Sequence, residues 1–163
     1  MATFDKCNPC CYICRVLTSC RFAVALHVMT VLAFKESEPV TSDLLASSVN
    51  TNPVVIRRLL LLLQEARLVE TRKGAGLGSR LLRKPNKISL GDIYRAVETE
   101  ELFPLPARQP NKGCPVGQCI QQALENIFVS AQLAMEKELS KTTLADVLDA
   151  VEEQCSESKG KGK

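Results

Sequence analysis

The sequence predicts a mainly α-helical chain carrying one small two-stranded hairpin, and three stretches predict it. Residues 50–84, NTNPVVIRRLLLLLQEARLVETRKGAGLGSRLLRK, read as a helix followed by a glycine-studded hairpin. Residues 21–34 are an apolar run that reads as an internal helix. Residues 116–139 repeat apolar side chains at three- and four-residue spacing over about 24 positions, or roughly 36 Å at 1.5 Å per residue.

Length and composition bound the answer. A chain of 163 residues is long enough to bury a core as one domain with an added arm. Apolar content of 45% argues for a globular protein, while 4% aromatics and no Trp argue against stacking platforms for single strands. No apolar run reaches the roughly 18–20 residues of a membrane span. Residues 22–34 come nearest, but they carry His27, and no small-residue cleavage site follows before Lys35 and Glu36. No membrane partner and a cytoplasmic location are therefore expected. Eight cysteines without a secretion signal then point to thiols or metal ligands rather than a disulfide scaffold.

The elements follow in order. After helix 21–34, Pro39 and Thr41 mark a break, and Ser42 or Asp43 caps a short helix, LLASSV. Residues 50–52 form a tight turn. Asn52 is the expected N-cap of the next helix and Pro53 its first residue, where a missing N–H costs nothing. That helix runs to about Ala66, burying Val55, Ile56, Leu59, Leu60, Leu62, Leu63 and Ala66 and turning Val54, Arg57, Arg58 and Leu61 outward. Runs 68–72 and 79–82 flank KGAGLG as two short strands around a flexible turn. Helix, three-residue turn, helix and hairpin make a winged helix-turn-helix. Such a module inserts its second helix into the major groove and lays the wing over the neighbouring backbone. Residues 85–87 end the hairpin and Ser89 caps a fourth helix, SLGDIYRAVE. Residues 99–116 are a loop with four prolines and one apolar anchor, Phe103. In the long helix that follows, Ile120, Leu124, Ile127, Ala131 and Ala134 form one seam, with Ala123, Phe128 and Met135 beside it. Two covers fit that seam: a partner helix, which two-fold symmetry would match to a palindromic operator, or the chain's own first helix. Thr142 or Thr143 caps a last helix, LADVLDAVEE, and the polar end SESKGKGK is expected to be disordered.

Charge concentrates on the same stretch. Residues 57–87 hold nine Lys and Arg against Glu65 and Glu70, a net +7, whereas the whole chain is only +3. A basic island on an otherwise acidic chain is the electrostatic footprint of a nucleic-acid surface. The alternative is a solvated charged face, although such faces usually mix signs.

With these modules in place, the chain resembles the Rrf-two family of bacterial winged-helix regulators, and within it the YwnA-like branch. The likeness covers about 17–150. It rests on LTSCRFAVALHVM, VNTNPVVIRRLL, LVETRKGAGLGSRLL, ISLGDIYRAVE, KGCPVGQCIQQAL and TLADV. The resemblance implies a dimeric DNA-binding repressor or activator, of a kind several of which sense iron, nitric oxide, redox state or cysteine supply. It places base-reading positions on Val54, Arg57 and Arg58, and Arg suits bidentate pairing to guanine. Thr51 and Asn52, with Arg72, Lys73, Ser79 and Arg80 of the wing, are then better placed for phosphates. The family's wing often ends in Gly-Gly-Tyr; here Leu77, Gly78 and Ser79 stand instead, so that aromatic contact is missing.

The cysteines divide into two groups. Family members with an iron–sulfur cluster use three cysteines in the loop and the start of the long helix. This chain has Cys114 and Cys119, then Glu125 to Ile127 where a third would follow, and next Cys155. Arg21 stands near the first-helix position where an acidic ligand can occur, and the one histidine, His27, has no companion ligand pattern. The resemblance therefore implies no family-style cluster in this loop. Cys114 precedes Pro115 at the helix start and lies near Lys112, a setting that favours the thiolate. With Cys119 it reads either as a redox pair or as ordinary buried thiols. Cys7, Cys10, Cys11 and Cys14 form CNPCCYIC, outside the family likeness. Two CxxC pairs fit zinc or an iron–sulfur cluster, and equally a redox-labile disordered arm.

The expected organisation is a Cys-rich extension 1–15, a winged helix-turn-helix 16–98, a linker or sensor loop 99–116, a dimerisation helix with a C-terminal helix 117–150, and a polar tail 151–163. The expected function is a dimeric transcriptional regulator, a repressor, that binds a palindromic operator on double-stranded DNA and senses redox state through its loop thiols. The alternative is a metal or redox protein whose N-terminal cysteines carry the signal while the winged helix serves protein contacts. No nucleophile set, phosphate loop or paired carboxylates point to an enzyme.

Overall fold

The computed structural model describes residues 20–35, 38–72, 78–99 and 101–160, with only the backbone for 158–160. The expected extension 1–15 lies outside them. The element order is α1 (Arg21–Phe34), α2 (Ser42–Val49), α3 (Pro53–Glu65), β1 (Val69–Thr71), β2 (Ser79–Leu81), a 3-10 turn at Pro85–Lys87, α4 (Leu90–Val97), α5 (Pro115–Leu139) and α6 (Leu144–Gly160). This is the mainly α winged helix-turn-helix that the sequence predicts. Two compact units make up the chain: 21–99 with 134–163, and 1–20 with 100–133.

In the larger unit α1 is the central helix, and α2, α4, α6 and β2 all pack on it. Its Ala25, Val28, Met29, Leu32 and Ala33 are buried together with Leu45, Ile56, Leu63, Val69, Ile93 and Leu144. Phe22 meets Tyr94 edge-on at 5.3 Å, and the Arg21 guanidinium donates to the Val97 carbonyl at 2.9 Å. His27 lies on the exposed side of α1, 3.0 Å from the Ser48 hydroxyl, so it is a helix residue as its isolation implied.

Each helix boundary has a local cause. Thr41 caps α2 through its hydroxyl, one residue before the expected Ser42. Asn50 ends α2 in the left-handed region at φ 58°. Its N–H donates to Ser47 and the Thr51 N–H to Ala46, the paired closure of a Schellman turn. Asn tolerates that conformation better than other non-glycine residues. The same closure ends α3, but with Arg67 at φ 55°: its N–H reaches Gln64, and the Leu68 N–H reaches Leu63. Ser89 and Asp92 form a reciprocal capping box at the start of α4. Thr143 and Asp146 repeat it at α6. A bridge between Ser89 and Thr143 ties those two helix starts together. α6 continues past Glu153, where the expected last helix ends, to Gly160, and so enters the stretch SESKGKGK that the polar composition predicts to be disordered. Glu, Gln and Lys are good helix formers, and no Gly or Pro interrupts them before Gly160.

β1 and β2 pair antiparallel, Val69 opposite Leu81, Glu70 opposite Arg80 and Thr71 opposite Ser79. A third segment, not expected from the sequence, closes the sheet's other side. Val40 exchanges both backbone hydrogen bonds with Ser79, at 2.8 and 2.9 Å. Gly78 permits this approach, since a Cβ there would stand 2.5 Å from the Val40 carbonyl oxygen.

In the smaller unit the loop 101–114 carries no helix or strand. Its expected anchor, Phe103, packs on Phe128 of α5 with ring centroids 5.2 Å apart.

Gly78→Ala is expected to destabilise the fold by about 1–3 kcal/mol, since the clash is with backbone rather than a movable side chain. In thermal unfolding that is a fall of several degrees, at roughly 2–4 °C per kcal/mol for a chain of this size. An unchanged midpoint would mean that β2 separates from Val40 without cost.

Candidate nucleic-acid interface

The orientation of α3 follows from its sequence. Ile56, Leu59, Leu60 and Leu63 are buried, and the opposite side presents Val54, Arg57, Arg58 and Leu61. Val54 is 49% and Leu61 59% exposed, so the outward side is partly apolar. Two residues expected on the core side are not there: Val55 is exposed and Leu62 half-buried. At 100° per residue they flank the buried stripe rather than centre on it.

At the start of α3 the Asn52 side-chain oxygen accepts from the Val54 N–H at 2.8 Å. Its amide NH2 remains to donate outward. Thr51 is half-buried in the turn before it. Arg57 is tethered across the turn: its Nε donates to the Ser42 hydroxyl at 3.1 Å, and a terminal nitrogen lies 3.5 Å from the Asp43 carboxylate. Arg58 is exposed and, among the described residues, has no ion-pair partner.

The wing has a feature that charge counting misses. Arg72 donates to one oxygen of Glu70 at 3.1 Å, and Arg80 donates to the other through two nitrogens at 2.8 Å. One carboxylate therefore bridges two guanidiniums. Hydrogen bonds from Arg80 first, then Arg72, hold the Glu70 carboxyl below the usual carboxylate range, so it stays charged at neutral pH.

Ser79 requires a correction. Its side chain is buried, 1% exposed, and its hydroxyl pairs with that of Thr71 at 2.9 Å. Strand alternation turns it inward next to exposed Arg80, so its hydroxyl is not presented to a phosphate. Lys73 lies outside the described residues.

Cys114 and Cys119 are both exposed thiols, so the ordinary buried state is not theirs. The Cys114 carbonyl accepts from the Gln118 N–H, which makes Cys114 the N-cap residue of α5. The loop before it is braced: Asn111 accepts from Gly113, and the Gln118 amide donates to the Lys112 carbonyl. No group of three or more His, Cys, Asp or Glu among the described residues is placed to hold a metal ion. Cys114 and Cys119 thus belong to no three-donor group among the described residues. Cys7, Cys10, Cys11 and Cys14 lie outside the described residues. No helix among them is long and apolar enough to cross a membrane.

Sequence reasoning missed Asp43 and Glu70 as partners of the outward arginines. Glu70 faces Arg80 only in the hairpin register, and Asp43 meets Arg57 only through the turn at Asn50.

This geometry agrees with the relatives of the chain. Residues 18–150 match the Rrf2 family model, described as an iron-dependent transcriptional regulator. YwnA of Bacillus subtilis (strain 168), named as an HTH-type transcriptional regulator, is 43% identical over 129 residues, which are 79% of this chain and 95% of YwnA. A crystal structure described as a DNA binding protein is 42% identical with a TM-score of 0.63, covering 78% of this chain and 98% of its own. CymR, described as the global cysteine regulator of B. subtilis, superposes with a TM-score of 0.60 at 26% identity, over 81% of this chain and 95% of CymR. The fold, the outward α3 arginines and these matches together place the chain in the Rrf2 family of winged-helix transcriptional regulators, DNA-binding proteins rather than enzymes.

Proposed function

We propose that the protein acts in the cytoplasm as a homodimeric repressor on a palindromic operator, with α3 in the major groove and the wing on the adjacent backbone. The observation that carries this reading is the exposure of Arg57 and Arg58 opposite the buried stripe of α3. Val54, Arg57 and Arg58 then face base edges, while Thr51, Asn52, Arg72, Lys73 and Arg80 serve phosphates. A dimer lying across an operator excludes other proteins from that DNA, and repression is the simplest consequence.

In this reading 16–98 is the DNA-binding region, 99–116 a sensor loop, and 117–150 the dimerisation region. What supports dimerisation is α5, none of whose 25 residues is buried. Ile127 is 60% and Leu133 61% exposed, and between Val116 and Met135 the sole charged residue is Glu125. A second copy of α5 is the cover that two-fold operator symmetry calls for.

Sensing rests on the exposure of Cys114 at the α5 start, and a relative of the chain is described as a cysteine regulator. Attack of the Cys114 thiolate on peroxide would break the O–O bond, form a sulfenic acid and release hydroxide, and the Cys119 thiol could then displace water from that sulfenic acid to form a disulfide. Five residues of helix separate Cα atoms by about 8.6 Å, beyond the roughly 4.4–6.8 Å of a disulfide. A Cys114–Cys119 bond would thus require the first turn of α5 to unwind, and that coupling is what would carry the signal toward the dimer. The alternative is a metal or iron–sulfur redox sensor in which Cys7, Cys10, Cys11 and Cys14 carry the signal, and truncation of residues 1–15 tests it.

Selection from a random-sequence pool should recover an operator. On it, Arg57→Ala and Arg58→Ala should each cost about 1–3 kcal/mol of discrimination against a changed base. Arg72→Ala and Arg80→Ala should weaken selected and random duplexes alike and flatten the salt dependence. Equal losses on both duplexes from all four changes would count against a base-reading helix.

Ile127→Asp places an unpaired charge on the proposed seam. Sedimentation should show monomers, and operator binding should fall strongly; an intact dimer would move the interface elsewhere.

Cys114→Ser should keep DNA binding and lose its response to peroxide, whereas removal of residues 1–15 should leave that response intact. Loss of the response in the truncation alone would transfer sensing to the N-terminal cysteines.

A further inference from the structure

We propose that Glu70 sets the DNA affinity of the wing: its carboxylate occupies the guanidinium pair Arg72 and Arg80 as a DNA phosphate would, and the phosphate must displace it to bind. The inference rests on the reading of the wing as a phosphate-contacting element.

The geometry carries it. Arg72 addresses one carboxylate oxygen at 3.1 Å, and Arg80 addresses the other through Nε and a terminal nitrogen at 2.8 Å. Two guanidiniums converging on the two oxygens of one anion is also an arrangement in which arginines can take up the oxygens of a phosphate diester. Glu70 and Arg80 are direct cross-strand partners, and Arg72 follows the end of the same strand, so the backbone itself brings all three together. The arginine side chains are 58% and 45% exposed and that of Glu70 31% exposed. The assembly is therefore open to a ligand from solvent rather than locked in a core.

Two consequences oppose each other. The carboxylate orders both long side chains before DNA arrives, lowering the entropy lost on binding. It also competes for the same donors and remains as a like charge beside the phosphate. An exposed ion pair is weak, so competition dominates only modestly, and the wing is held below its full affinity rather than silenced. Sequence discrimination belongs to α3 and is left unchanged. Glu70 thus adjusts the sequence-independent share of binding against the specific share. A regulator that must leave random DNA gains from such a setting.

The test uses the full-length protein and a labelled duplex of mixed sequence. Glu70→Gln keeps the side-chain shape and removes the charge. It should tighten binding by roughly two- to five-fold and steepen the salt dependence by about one released counterion. Glu70→Thr, a strong strand former, should give the same gain if the hairpin is intact, with thermal unfolding reporting the fold. In an Arg72→Ala/Arg80→Ala background the gain from Glu70→Gln should vanish. A gain that persists at full size there would make Glu70 a general surface charge and overturn the proposal. So would unchanged or weaker binding in both folded Glu70 variants. If Arg72→Ala/Arg80→Ala itself binds DNA as well as the native protein, the wing is not a phosphate contact and the underlying reading falls first.

Discussion

The outward surface of α3 and of the wing depends on the burial of one stripe of α3. Ile56, Leu59, Leu60 and Leu63 are each no more than 4% exposed, and each buried aliphatic side chain stabilises its placement by about 1.5–3 kcal/mol. Rotating α3 by one residue would swing it 100° and carry Arg57 toward the core, where an unpaired charge is far more costly. The stripe therefore fixes which residues face outward without any contact on the outward side. Both ends of α3 reinforce that orientation. Asn50 and Arg67 each occupy the left-handed region, and such a conformation costs a non-glycine residue roughly 1–2 kcal/mol. At Arg67 the two Schellman hydrogen bonds and the burial of Leu63 and Leu68 offset that cost. The chain thus leaves α3 directly into β1, and the wing inherits its position from the core.

Most of this was legible in the residues. Apolar spacing located α1, α3, α4 and α5, and Asn52, Pro53 and Ser89 located helix starts, because capping chemistry is local and uses few residue types. The cap of α2 was misplaced by one residue since Thr41, Ser42 and Asp43 are all competent, and tertiary context chose Thr41. Val40 was illegible as a sheet partner because its contact with Ser79 joins positions 39 residues apart with no pattern of its own. Gly78 held the only local hint, a small residue where two backbones meet. Ser79 was misread for a related reason: strand alternation decides whether it faces in or out, and a short hairpin of unknown register leaves that open.

The charge island illustrates what counting alone leaves out. Nine cations against two acids describe a field, and a field steers a polyanion at distances set by the Debye length. Contact is governed by pairs. Here the most useful cations are already engaged, Arg57 with Asp43, and Arg72 and Arg80 with Glu70. Asp43 lies outside the counted stretch, and Glu70 counts only once although it occupies two arginines. The long-range attraction is therefore larger than the donors ready at contact. That separates the rate of encounter from the stability of the complex, and it leaves Arg58 as an outward α3 cation without an ion-pair partner among the described residues.

On α5 the balance of forces points the other way, toward a surface in need of cover. At 100° per residue, Val116, Ile120, Ala123, Ile127, Ala131 and Ala134 fall within about 40° of one line. Ala123, Ala131 and Ala134 leave room for a backbone to approach, and Ile127 is the large side chain at the centre. Leu124, Phe128 and Met135 flank this line on the side where Phe103 lies, and all three are half-buried. Away from this line, Val129 on the opposite face and Leu133 toward the other flank are 54% and 61% exposed. Exposed apolar residues therefore extend well beyond the narrow seam that two helices share. A single partner helix would leave Val129 and Leu133 in water. In the proposed dimer, full cover of α5 requires a further element against Leu133 and the face that carries Val129.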